Sequence, residues 1–303
     1  MQKSSKIWLN GELVEWDQAK IHVLTHGLHS GTGVFEGIRC YETDEGTVIF
    51  RLQEHVKRLF NSAKIYMMEM RYGFDDICDA IINTVKLNGI PNCYVRPIAY
   101  YGYGKMGVTP LNRVDVAIAV WKWDEYLKSD SKEGLRCMVS SWRRIDPRTM
   151  PLQAKATANY ANSALARMEA LKSGYDEGIM LNIDGMVAES SAENIFLVKD
   201  GILITPPTTA GALEGVTRDS VLEIAKQNNI PFQITDVTRD ELYIAEEVFL
   251  TGTAAGIKPV IEIDKRLIGN GDVGIVTKEL RRLYEEVVSG KDRRFSKWLT
   301  YVK

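Results

Sequence analysis

The stretch "GIMLNIDGMVAESSAENIFLVKDGILITP" at residues 178–206 decides the fold class, because it contains two hairpin signals in succession. Asp184-Gly185 separates two apolar runs, and Asp200-Gly201 separates the next two. An Asp-Gly pair between alternating runs is typical of a two-residue β-hairpin turn. Strands paired by hairpins, with the helices in separate segments, predict an α+β domain rather than a doubly wound sheet.

Outside this stretch the chain contains further helix-like and strand-like segments. Apolar residues recur at helical spacing in four segments, so helices are predicted at 51–68, 74–89, 217–229 and 276–290. Alternating or β-branched apolar runs predict strands at 93–101, 114–123 and 135–142. Pro97 lies inside the first of these strands and suggests an edge strand or a bulge, because proline has no N–H to donate.

A polar segment, "DEYLKSDSKEG" at 124–134, interrupts the strand-like runs and indicates a domain boundary. The sequence therefore predicts a small N-terminal α+β domain at 1–125, an interdomain linker at 126–134 and a large C-terminal α+β domain at 135–303. A chain of 303 residues is long enough for two domains of ordinary size.

The bulk composition is that of an ordinary globular protein, with 45% hydrophobic and 26% charged residues. A net charge of −2 argues against a nucleic-acid-binding surface or a polybasic membrane anchor. No apolar run approaches the roughly 20 residues of a membrane span, and the first residues lack the apolar core of a signal peptide, so we expect a cytoplasmic protein. The four cysteines are widely spaced without a C-x-x-C pair, which favours free thiols over disulfides or a metal site.

Lys155 is unusual among the lysines because the stretch around it, "PLQAKATANY" at 151–160, is otherwise uncharged and rich in small residues. Desolvation among such neighbours would lower the pKa of the ammonium group toward neutrality. A neutral amine attacks carbonyl carbons and forms Schiff bases. The plainer interpretation is a surface lysine on a loop that enters a helix, and this stretch by itself leaves both open.

Two segments have the composition of anion-binding turns. Gly215 and Thr217 lie where a helix is predicted to begin, and free N–H groups at a helix start bind phosphate. The turn Thr251-Gly252-Thr253 follows a predicted strand and would present N–H groups and hydroxyls. Simple capping by Thr217 and an ordinary strand-to-loop turn are the alternatives.

Two further pairs of side chains are candidates for binding charged groups. Glu189 and Glu193 lie in an otherwise small and apolar stretch, so a buried carboxylate there would need a cationic partner such as a protonated pyridine nitrogen. Tyr94 and Arg96 share one face of a predicted strand and would hold a substrate carboxylate. A solvated strand end and a cross-strand ion pair are the respective alternatives.

A histidine cluster and two glycine-rich segments resemble binding sites but do not have the spacing that such sites require. His22, His26 and His29 would reach one metal ion only if they lay on a helix, and no acidic or thiol fourth ligand is evident, so packing roles are favoured and no metal site is predicted. The segments "GTGVFEG" and "GYGKMG" lack the G-x-G-x-x-G order before a helix, so dinucleotide binding is not expected. The remaining candidates, a Schiff-base lysine, anion-binding turns and a buried carboxylate, together suggest pyridoxal 5'-phosphate.

Seven ordered blocks covering nearly the whole chain resemble the branched-chain amino-acid aminotransferases, in the fold-type IV group of pyridoxal-phosphate enzymes. The blocks are "HGLHSGTGVFEGIRCYET", "FRLQEHVKRLFNSAKIY", "CYVRPIAYYGYGKMGV", "SSWRRIDPRTMPLQAKATANY", "GYDEGIMLNIDGMVAESSAENIF", "TPPTTAGALEGVTRDSV" and "IAEEVFLTGTAAGIKPV". The resemblance implies the two-domain α+β fold that this group shares with D-amino-acid aminotransferases, with the cofactor pyridoxal 5'-phosphate between the domains.

The resemblance also implies roles for individual residues. Lys155 would be the catalytic Schiff-base lysine, Glu189 the partner of the pyridine nitrogen and Tyr160 the partner of the phenolic oxygen. Further positions that match cofactor-binding residues are Arg58, Ser191, Leu213, Gly215, Val216, Thr217, Gly252 and Thr253. Positions that match substrate-binding residues are Phe35, Arg39, Tyr94, Arg96, Val108, Trp123, Tyr126, Thr253 and Ala254.

The activity implied by the resemblance is transamination of L-leucine, L-isoleucine and L-valine with 2-oxoglutarate. The products would be branched 2-oxo acids and L-glutamate, formed by a ping-pong mechanism through the Lys155 Schiff base. The loop at 104–108 resembles one that reaches into a neighbouring subunit, which implies at least a homodimer, with a trimer of dimers as the larger alternative. Ser30 departs from the tyrosine of bacterial members, so a larger pocket and a broader substrate range are expected.

Three other functions fit parts of the same pattern. A D-amino-acid aminotransferase shares the fold and the lysine but is expected to arrange its carboxylate site differently from Tyr94 and Arg96. An aminodeoxychorismate lyase would eliminate pyruvate and need no 2-oxoglutarate. A dimeric ligand-binding scaffold without catalytic activity would show no cofactor absorbance.

Overall fold

The computed structural model of the chain describes residues 3–109, 112–123 and 134–302. The described strands are β1 Lys6–Leu9, β2 Glu12–Glu15, β3 Gly33–Phe35, β4 Ile38–Thr43, β5 Gly46–Phe50, β6 Cys93–Tyr101, β7 Val114–Lys122, β8 Leu135–Val139, β9 Glu177–Leu181, β10 Val187–Ser190, β11 Asn194–Lys199, β12 Ile202–Thr205, β13 Phe232–Ile234, β14 Glu247–Gly252, β15 Gly256–Ile263, β16 Arg266–Leu267 and β17 Leu299–Tyr301. The described α-helices are α1 His26–Ser30, α2 Leu52–Ile65, α3 Phe74–Asn88, α4 Asn159–Lys172, α5 Val216–Gln227, α6 Arg239–Ile244 and α7 Ile275–Val288. The mixture of sheets and helices confirms the predicted α+β class.

The chain divides into two compact units that are not simple halves of the sequence. The first unit contains Met1–Asp124, Ala154–Ala158 and Glu286–Lys303, and the second contains Glu125–Gln153 and Asn159–Glu285. The predicted linker at 126–134 lies outside the described residues except for Gly134, so the linker stays a prediction. In the described ranges, no helix combines the length and apolarity needed to cross a bilayer.

The first unit is built on a sheet with the strand order β17-β5-β4-β6-β7-β1-β2, and β3 also pairs with β6. Helices α2 and α3 pack their apolar faces against this sheet, and side chains of the helices and the sheet form one core. This packing is what the predicted helical periodicity of the apolar residues requires. The observed helices lie within the predicted ranges 51–68 and 74–89. Strand β17, close to the end of the chain, pairs with β5, which brings residues 299–301 into this unit.

Strand β6 occupies the interior of the sheet, so Pro97 does not mark an edge strand. β7 pairs with the whole length of β6 on one side, and β3 and β4 pair with different parts of it on the other. The carbonyl of Pro97 accepts a hydrogen bond from Glu36, which lies in the gap between β3 and β4 (2.9 Å). Because the nitrogen and carbonyl of a strand residue point toward the same neighbour, the missing N–H faces this gap and leaves the β7 ladder complete.

The segment Ala154–Ala158 belongs to the first unit because its main chain is hydrogen-bonded there. The carbonyl of Lys155 accepts a bond from the Phe35 N–H (3.0 Å), and Ala156 forms a bridge with Val34. The Lys155 N–H donates to the hydroxyl of Ser62 on α2 (3.0 Å). These bonds fix the main chain of the lysine against β3 and α2.

The second unit is built on a mixed sheet with the order β10-β9-β8-β15-β14-β11-β12-β13, and β16 pairs with β15. Both predicted hairpins are confirmed, since β9 pairs with β10 and β11 pairs with β12, each pair in antiparallel orientation. Asp200 and Gly201 have φ values of 52° and 71°, and Gly185 has a φ of 83°. Both residues of the Asp200-Gly201 pair are left-handed, as a two-residue turn requires, whereas in the Asp184-Gly185 pair only the glycine is, and this hairpin has a longer loop between Leu181 and Val187.

The helices of the second unit also follow the sequence closely, with one correction at a helix start. α5 begins at Val216 with Gly215 as its N-cap, so Thr217 lies inside the helix and is not the capping residue. α4 lies close against β9, because a Cβ on Gly178 would be 3.0 Å from the Ala166 carbonyl oxygen. A larger residue at this position of β9 would push the helix away from the sheet.

We expect Gly201→Ala to lower the free energy of unfolding by about 1–2 kcal/mol, because an alanine in the left-handed conformation is strained. Asp200→Gly is the matched control, since glycine relieves the strain at the neighbouring position and should cause no such loss. Urea unfolding of the three proteins measures the difference. Equal stability of Gly201→Ala and the unchanged protein would show that the hairpin does not need the left-handed glycine.

Candidate active site

Lys155 is half-buried in the first unit, four residues before α4 begins. Its Nζ lies 5.1 Å from the centroid of the Phe35 ring. Burial lowers the pKa of Lys155 to about 8, with the positive charge of Arg58 acting in the same direction and Glu36 opposing the change. Lys155 is therefore desolvated, as the sequence predicted. A substantial fraction of its amine is neutral near pH 8.

The strongest charge cluster near Lys155 is centred on Glu36, which is completely buried. Arg58 on α2 donates from Nε and Nη2 to the two carboxylate oxygens of Glu36 (2.6 and 2.9 Å), and His55 Nδ1 donates to Oε2 (2.7 Å). Burial by itself would raise the pKa of Glu36, but Arg58 and His55 lower it well below its usual range. The guanidinium predicted to bind phosphate is thus held in one orientation by a two-point ion pair.

His55 is the third member of this cluster, and its burial favours the neutral imidazole. Burial lowers the pKa of its imidazole, although the adjacent Glu36 carboxylate opposes that shift. A neutral imidazole that donates from Nδ1 adds a hydrogen bond to Glu36 without adding a second positive charge beside Arg58.

Arg39 and Arg96 lie on either side of Tyr94 in the sheet of the first unit. Arg39 is the cross-strand neighbour of Tyr94, and Arg96 lies two residues further along the same strand. Each guanidinium stacks on aromatic rings, with Arg39 Cζ 5.3 Å from the Trp123 ring and Arg96 Cζ 4.7 Å from the Phe35 ring.

Neither of these two arginines is neutralised within the described ranges of the chain, where no carboxylate pairs with Arg39 or Arg96. The buried Nε atoms of both have no hydrogen-bond partner there. Arg96 Nη2 makes only a long contact with the Tyr94 hydroxyl (3.5 Å). Two half-buried guanidinium groups, each with a buried Nε that is unpartnered in the described ranges, form a site that suits carboxylates.

The hydroxyl of Tyr94 lies directly against the main chain at Gly37. A Cβ added to Gly37 would be 1.9 Å from this hydroxyl oxygen, so a larger residue would displace it. The Tyr94 ring stacks on Trp123 with centroids 4.4 Å apart. The phenol predicted to contact the substrate is therefore fixed at both its ring and its hydroxyl.

Glu189 on β10 is a buried carboxylate of the second unit with three partners. Arg144 Nη2 contacts its Oε1 (2.9 Å), and its Oε2 accepts bonds from the Leu213 N–H (2.9 Å) and Asn194 Nδ2 (3.3 Å). The side chain is buried, so these partners compensate for the loss of water around the negative charge. Glu189 is an oriented carboxylate that would accept a further positive partner.

Glu193, the other carboxylate of that stretch, has a different environment. It is buried near Glu177, and its Oε2 accepts a bond from the Ser190 hydroxyl (2.6 Å). Burial and the negative charge of Glu177, which is itself paired with Arg167, raise the pKa of Glu193 to about 8. The structure therefore separates an ion-paired Glu189 from a Glu193 whose protonated form is favoured by burial.

The two predicted anion-binding turns both lie in the second unit. Gly215 is in an extended conformation immediately before α5, and a Cβ there would be 1.9 Å from Asn194 Oδ1. β14 ends at Gly252, and a Cβ there would be 3.2 Å from Glu193 Cγ. The main chain thus lies close to buried polar side chains at both turns, and Thr251 Oγ1 is buried without a hydrogen-bond partner in the described part of the chain.

The structure distributes the predicted site residues over both units. The predicted residues in the first unit besides Lys155 are Phe35, Arg39, Arg58, Tyr94, Arg96 and Trp123. Those in the second unit are Tyr160, Glu189, Ser191, Leu213, Gly215, Val216, Thr217, Gly252, Thr253 and Ala254.

Three predicted positions do not belong to these groups in the structure. Val108 is 96% exposed, and Ser30 is exposed at the end of α1, so neither is enclosed by this chain. Tyr126 lies outside the described residues. The roles of all three stay predictions.

The histidines of the first unit have structural partners. His26 is buried, with Nε2 bonded to the Gly107 carbonyl and Nδ1 to the Thr32 hydroxyl (both 2.8 Å). His29 Nε2 bonds the Val23 carbonyl (2.8 Å). These contacts tie α1 and the segment before it to their surroundings.

Four residues of the site were not among the sequence predictions. They are Glu36, His55, Arg144 and Asn194; Glu36 contacts the predicted Arg58, His55 contacts Glu36, and the other two contact the predicted Glu189. The spacing of His55 and Arg58 on one helical face and the isolated carboxylate in "GVFEGIR" were available signals. Arg144 and Asn194 had no comparable signal, because their partners are distant in sequence or join the site through tertiary packing.

Comparison with known proteins identifies relatives over the full length of the chain. Residues 33–263 match the family model described as amino-transferase class IV. The branched-chain-amino-acid aminotransferase of Escherichia coli strain K12 is 43% identical over 99% of this chain and 98% of that protein. The solved branched-chain amino acid aminotransferase of T.th. with pyridoxamine 5'-phosphate is 47% identical, with a TM-score of 0.96 and 100% coverage of both chains. The complex of the T.th. enzyme with N-(5'-phosphopyridoxyl)-L-glutamate is 46% identical, with a TM-score of 0.95 and 100% coverage of both chains.

In cofactor-free protein we expect an acylating reagent to modify Lys155 with a rate that rises with pH around a midpoint near 8. The amine reacts only when it is deprotonated, so the midpoint reports the pKa. Arg58→Met removes a positive charge and should raise the midpoint, whereas Glu36→Gln removes a negative charge and should lower it. Peptide mass spectrometry across a pH series measures the rate, with the exposed Lys265 as the standard for reagent reactivity. Shifts in the same direction in both variants would contradict this electrostatic account.

Proposed function

The chain belongs to the amino-transferase class IV family, and we propose that it is a pyridoxal-phosphate-dependent branched-chain amino-acid aminotransferase. The observation that carries the proposal is Lys155, a lysine of lowered pKa held by its main chain beside the Glu36–Arg58 ion pair. The activity of the relatives supports the choice of branched-chain substrates, since two full-length matches have that name.

The residues present fit pyridoxal phosphate in both units. In the first unit, Lys155 supplies an amine for the Schiff base predicted from the sequence, and Arg58 supplies an oriented guanidinium for a phosphate. In the second unit, Glu189 supplies a carboxylate for a protonated ring nitrogen, and the start of α5 after Gly215 supplies main-chain N–H groups for a phosphate. When bound, the cofactor supplies a carbonyl for the amino group and a ring that takes up the electrons released at the α-carbon.

Lys155 is the group that would move the proton in the reaction. With a pKa of about 8, its amine is partly neutral at physiological pH and accepts a proton readily, and its ammonium form returns one. The main-chain bonds to Phe35 and Ser62 restrict the position from which it does so. A fixed base of matched pKa is what proton transfer at the α-carbon requires.

The pair Arg39 and Arg96 supports 2-oxoglutarate as the amino acceptor. Both side chains are half-buried beside Tyr94, and their buried Nε atoms have no hydrogen-bond partner among the described residues. A dicarboxylate would satisfy donors that a branched apolar substrate leaves unpaired, while Phe35 and Trp123 would contact the apolar side chain. The related T.th. enzyme was solved with a phosphopyridoxyl adduct of L-glutamate, which supports the same chemistry and the L configuration. The proposal includes ping-pong exchange between the two substrates.

The proposal also covers the assembly of the protein and two rival functions on the same fold. We include a homodimer at least, in which the exposed loop at 104–108 would contact a second copy, as the sequence resemblance implies. A D-amino-acid aminotransferase and an aminodeoxychorismate lyase remain the rivals on the same fold. The first differs in the configuration of its donor and the second needs no 2-oxoglutarate, so substrate tests separate all three.

The purified protein should show a visible absorption band that shifts when L-leucine is added, because the donor takes the place of Lys155 on the cofactor. Lys155→Ala should abolish turnover, and Lys172→Ala, an exposed lysine at the end of α4, is the matched control with unchanged turnover. Spectra recorded before and after leucine test both. A band that responds to D-alanine and not to leucine would favour the D-amino-acid rival, and no band after addition of cofactor would overturn the proposal.

Arg96→Met should raise the KM for 2-oxoglutarate about 10- to 100-fold, the size expected for one charge-assisted hydrogen bond. The KM for 4-methyl-2-oxopentanoate, which has no second carboxylate, should change about threefold or less on the same reasoning. Arg113→Met removes an exposed arginine paired with Asp115 and serves as the control. Initial rates with the two acceptors give both constants. Equal losses for the two acceptors would remove Arg96 from the recognition of the second carboxylate.

A further inference from the structure

Asn194, at the start of β11, connects two parts of the second unit that are predicted to bind different parts of the cofactor. Its Nδ2 donates to Glu189 Oε2 (3.3 Å) and to the carbonyl of Leu213 (2.9 Å). Its side-chain oxygen faces Gly215, where an added Cβ would lie only 1.9 Å away. The amide of Asn194 therefore contacts the carboxylate on one side and the residues that lead into α5 on the other.

The backbone of Gly215 shows that this contact, and not its conformation, accounts for the glycine. Its φ of −75° and ψ of 129° are accessible to any L-amino acid. Glycine is accepted at a helix N-cap, but Ser, Asn and Asp rank above it, so capping by itself does not select glycine here. The absence of a Cβ is required because the Asn194 amide occupies that space.

Glu189 and Leu213 are joined twice, once by a direct hydrogen bond and once through the side chain of Asn194. The Leu213 N–H donates to Glu189 Oε2 (2.9 Å), and Arg144 holds Oε1 (2.9 Å). Removing the amide would leave Glu189 with these two partners, while the Leu213 carbonyl would lose its hydrogen bond and Gly215 would lose the side chain that packs against it. Without the amide, we expect residues 213–215 to move more freely while the Glu189 carboxylate stays in place.

We propose that Asn194 is a positioning residue that holds Glu189 and residues 213–217 at a fixed separation, and so couples binding of the cofactor's ring to binding of its phosphate. This inference rests on the proposed function, in which the two groups contact opposite ends of pyridoxal phosphate. A ligand that uses both ends gains affinity when the separation is fixed in advance. A ligand that uses one end gains nothing from it.

The test measures dissociation constants of the cofactor-free, full-length protein for pyridoxal phosphate, pyridoxal and inorganic phosphate. Asn194→Ala should weaken binding of pyridoxal phosphate about 10- to 100-fold, the range of a hydrogen bond to a buried charge. Pyridoxal lacks the phosphate and inorganic phosphate lacks the ring, so their constants should change about threefold or less. Asn228→Ala is the matched control, because Asn228 bonds the Ile224 carbonyl at the other end of α5 (2.8 Å) and should change none of the three.

A second pair of variants tests the steric contact directly and does not require that Asn194→Ala fold well. Gly215→Ala should weaken binding of pyridoxal phosphate, because the new Cβ displaces the Asn194 amide. In the double variant Asn194→Ala/Gly215→Ala the space is available, so the second substitution should add little to the first. Such non-additivity is the signature of two residues in contact.

Two outcomes would overturn the inference. Equal losses for all three ligands in Asn194→Ala, with a lower melting temperature, would make Asn194 a support of the fold alone. Additive losses in the double variant would show that Asn194 and Gly215 act independently. If the unchanged protein bound inorganic phosphate but no pyridoxal phosphate, the proposed function would fail instead. That result differs from equal losses in Asn194→Ala and from additive losses in the double variant.

Discussion

The buried carboxylate of Glu36 is the charge on which the site of the first unit depends. It accepts hydrogen bonds from Arg58 and His55, and the main-chain N–H of the same residue donates to the Pro97 carbonyl in the gap between β3 and β4. The main chain of Glu36 therefore fills the gap between β3 and β4, while its side chain orients the Arg58 guanidinium beside Lys155. A buried charge is tolerated only with such partners, so the cluster is stable as a whole and vulnerable to the loss of any member.

The charges around Lys155 explain why this lysine can act as a base. Burial and Arg58 disfavour its ammonium form, whereas Glu36 favours it, and the balance leaves a pKa of about 8. A lysine without the carboxylate nearby would lose its proton at lower pH, and one without the arginine would keep it to higher pH. The main-chain bonds to Ser62 and Phe35 add the positional restraint that electrostatics cannot provide.

The second unit separates two neighbouring carboxylates by giving them different partners. Glu189 faces Arg144, Leu213 and Asn194, and it serves as an oriented anion. Glu193, four residues later, lies near another buried carboxylate, and burial raises its pKa. Two residues of the same type in one short stretch thus have different environments, and Glu193 lies against the main chain at Gly252.

The sequence by itself determined the local elements and the chemical types of the site. Both Asp-Gly hairpins, the four predicted helices and the unusual setting of Lys155 follow from turn chemistry, periodicity and composition, which act over a few residues. Tertiary structure alone decided which groups meet. The placement of Pro97 in an interior strand, the joining of Ala154–Ala158 to β3, and the roles of Glu36 and Asn194 depend on hydrogen bonds between residues far apart in the chain. No local pattern encodes those partners, because they are chosen by packing and by the need to satisfy each buried polar group.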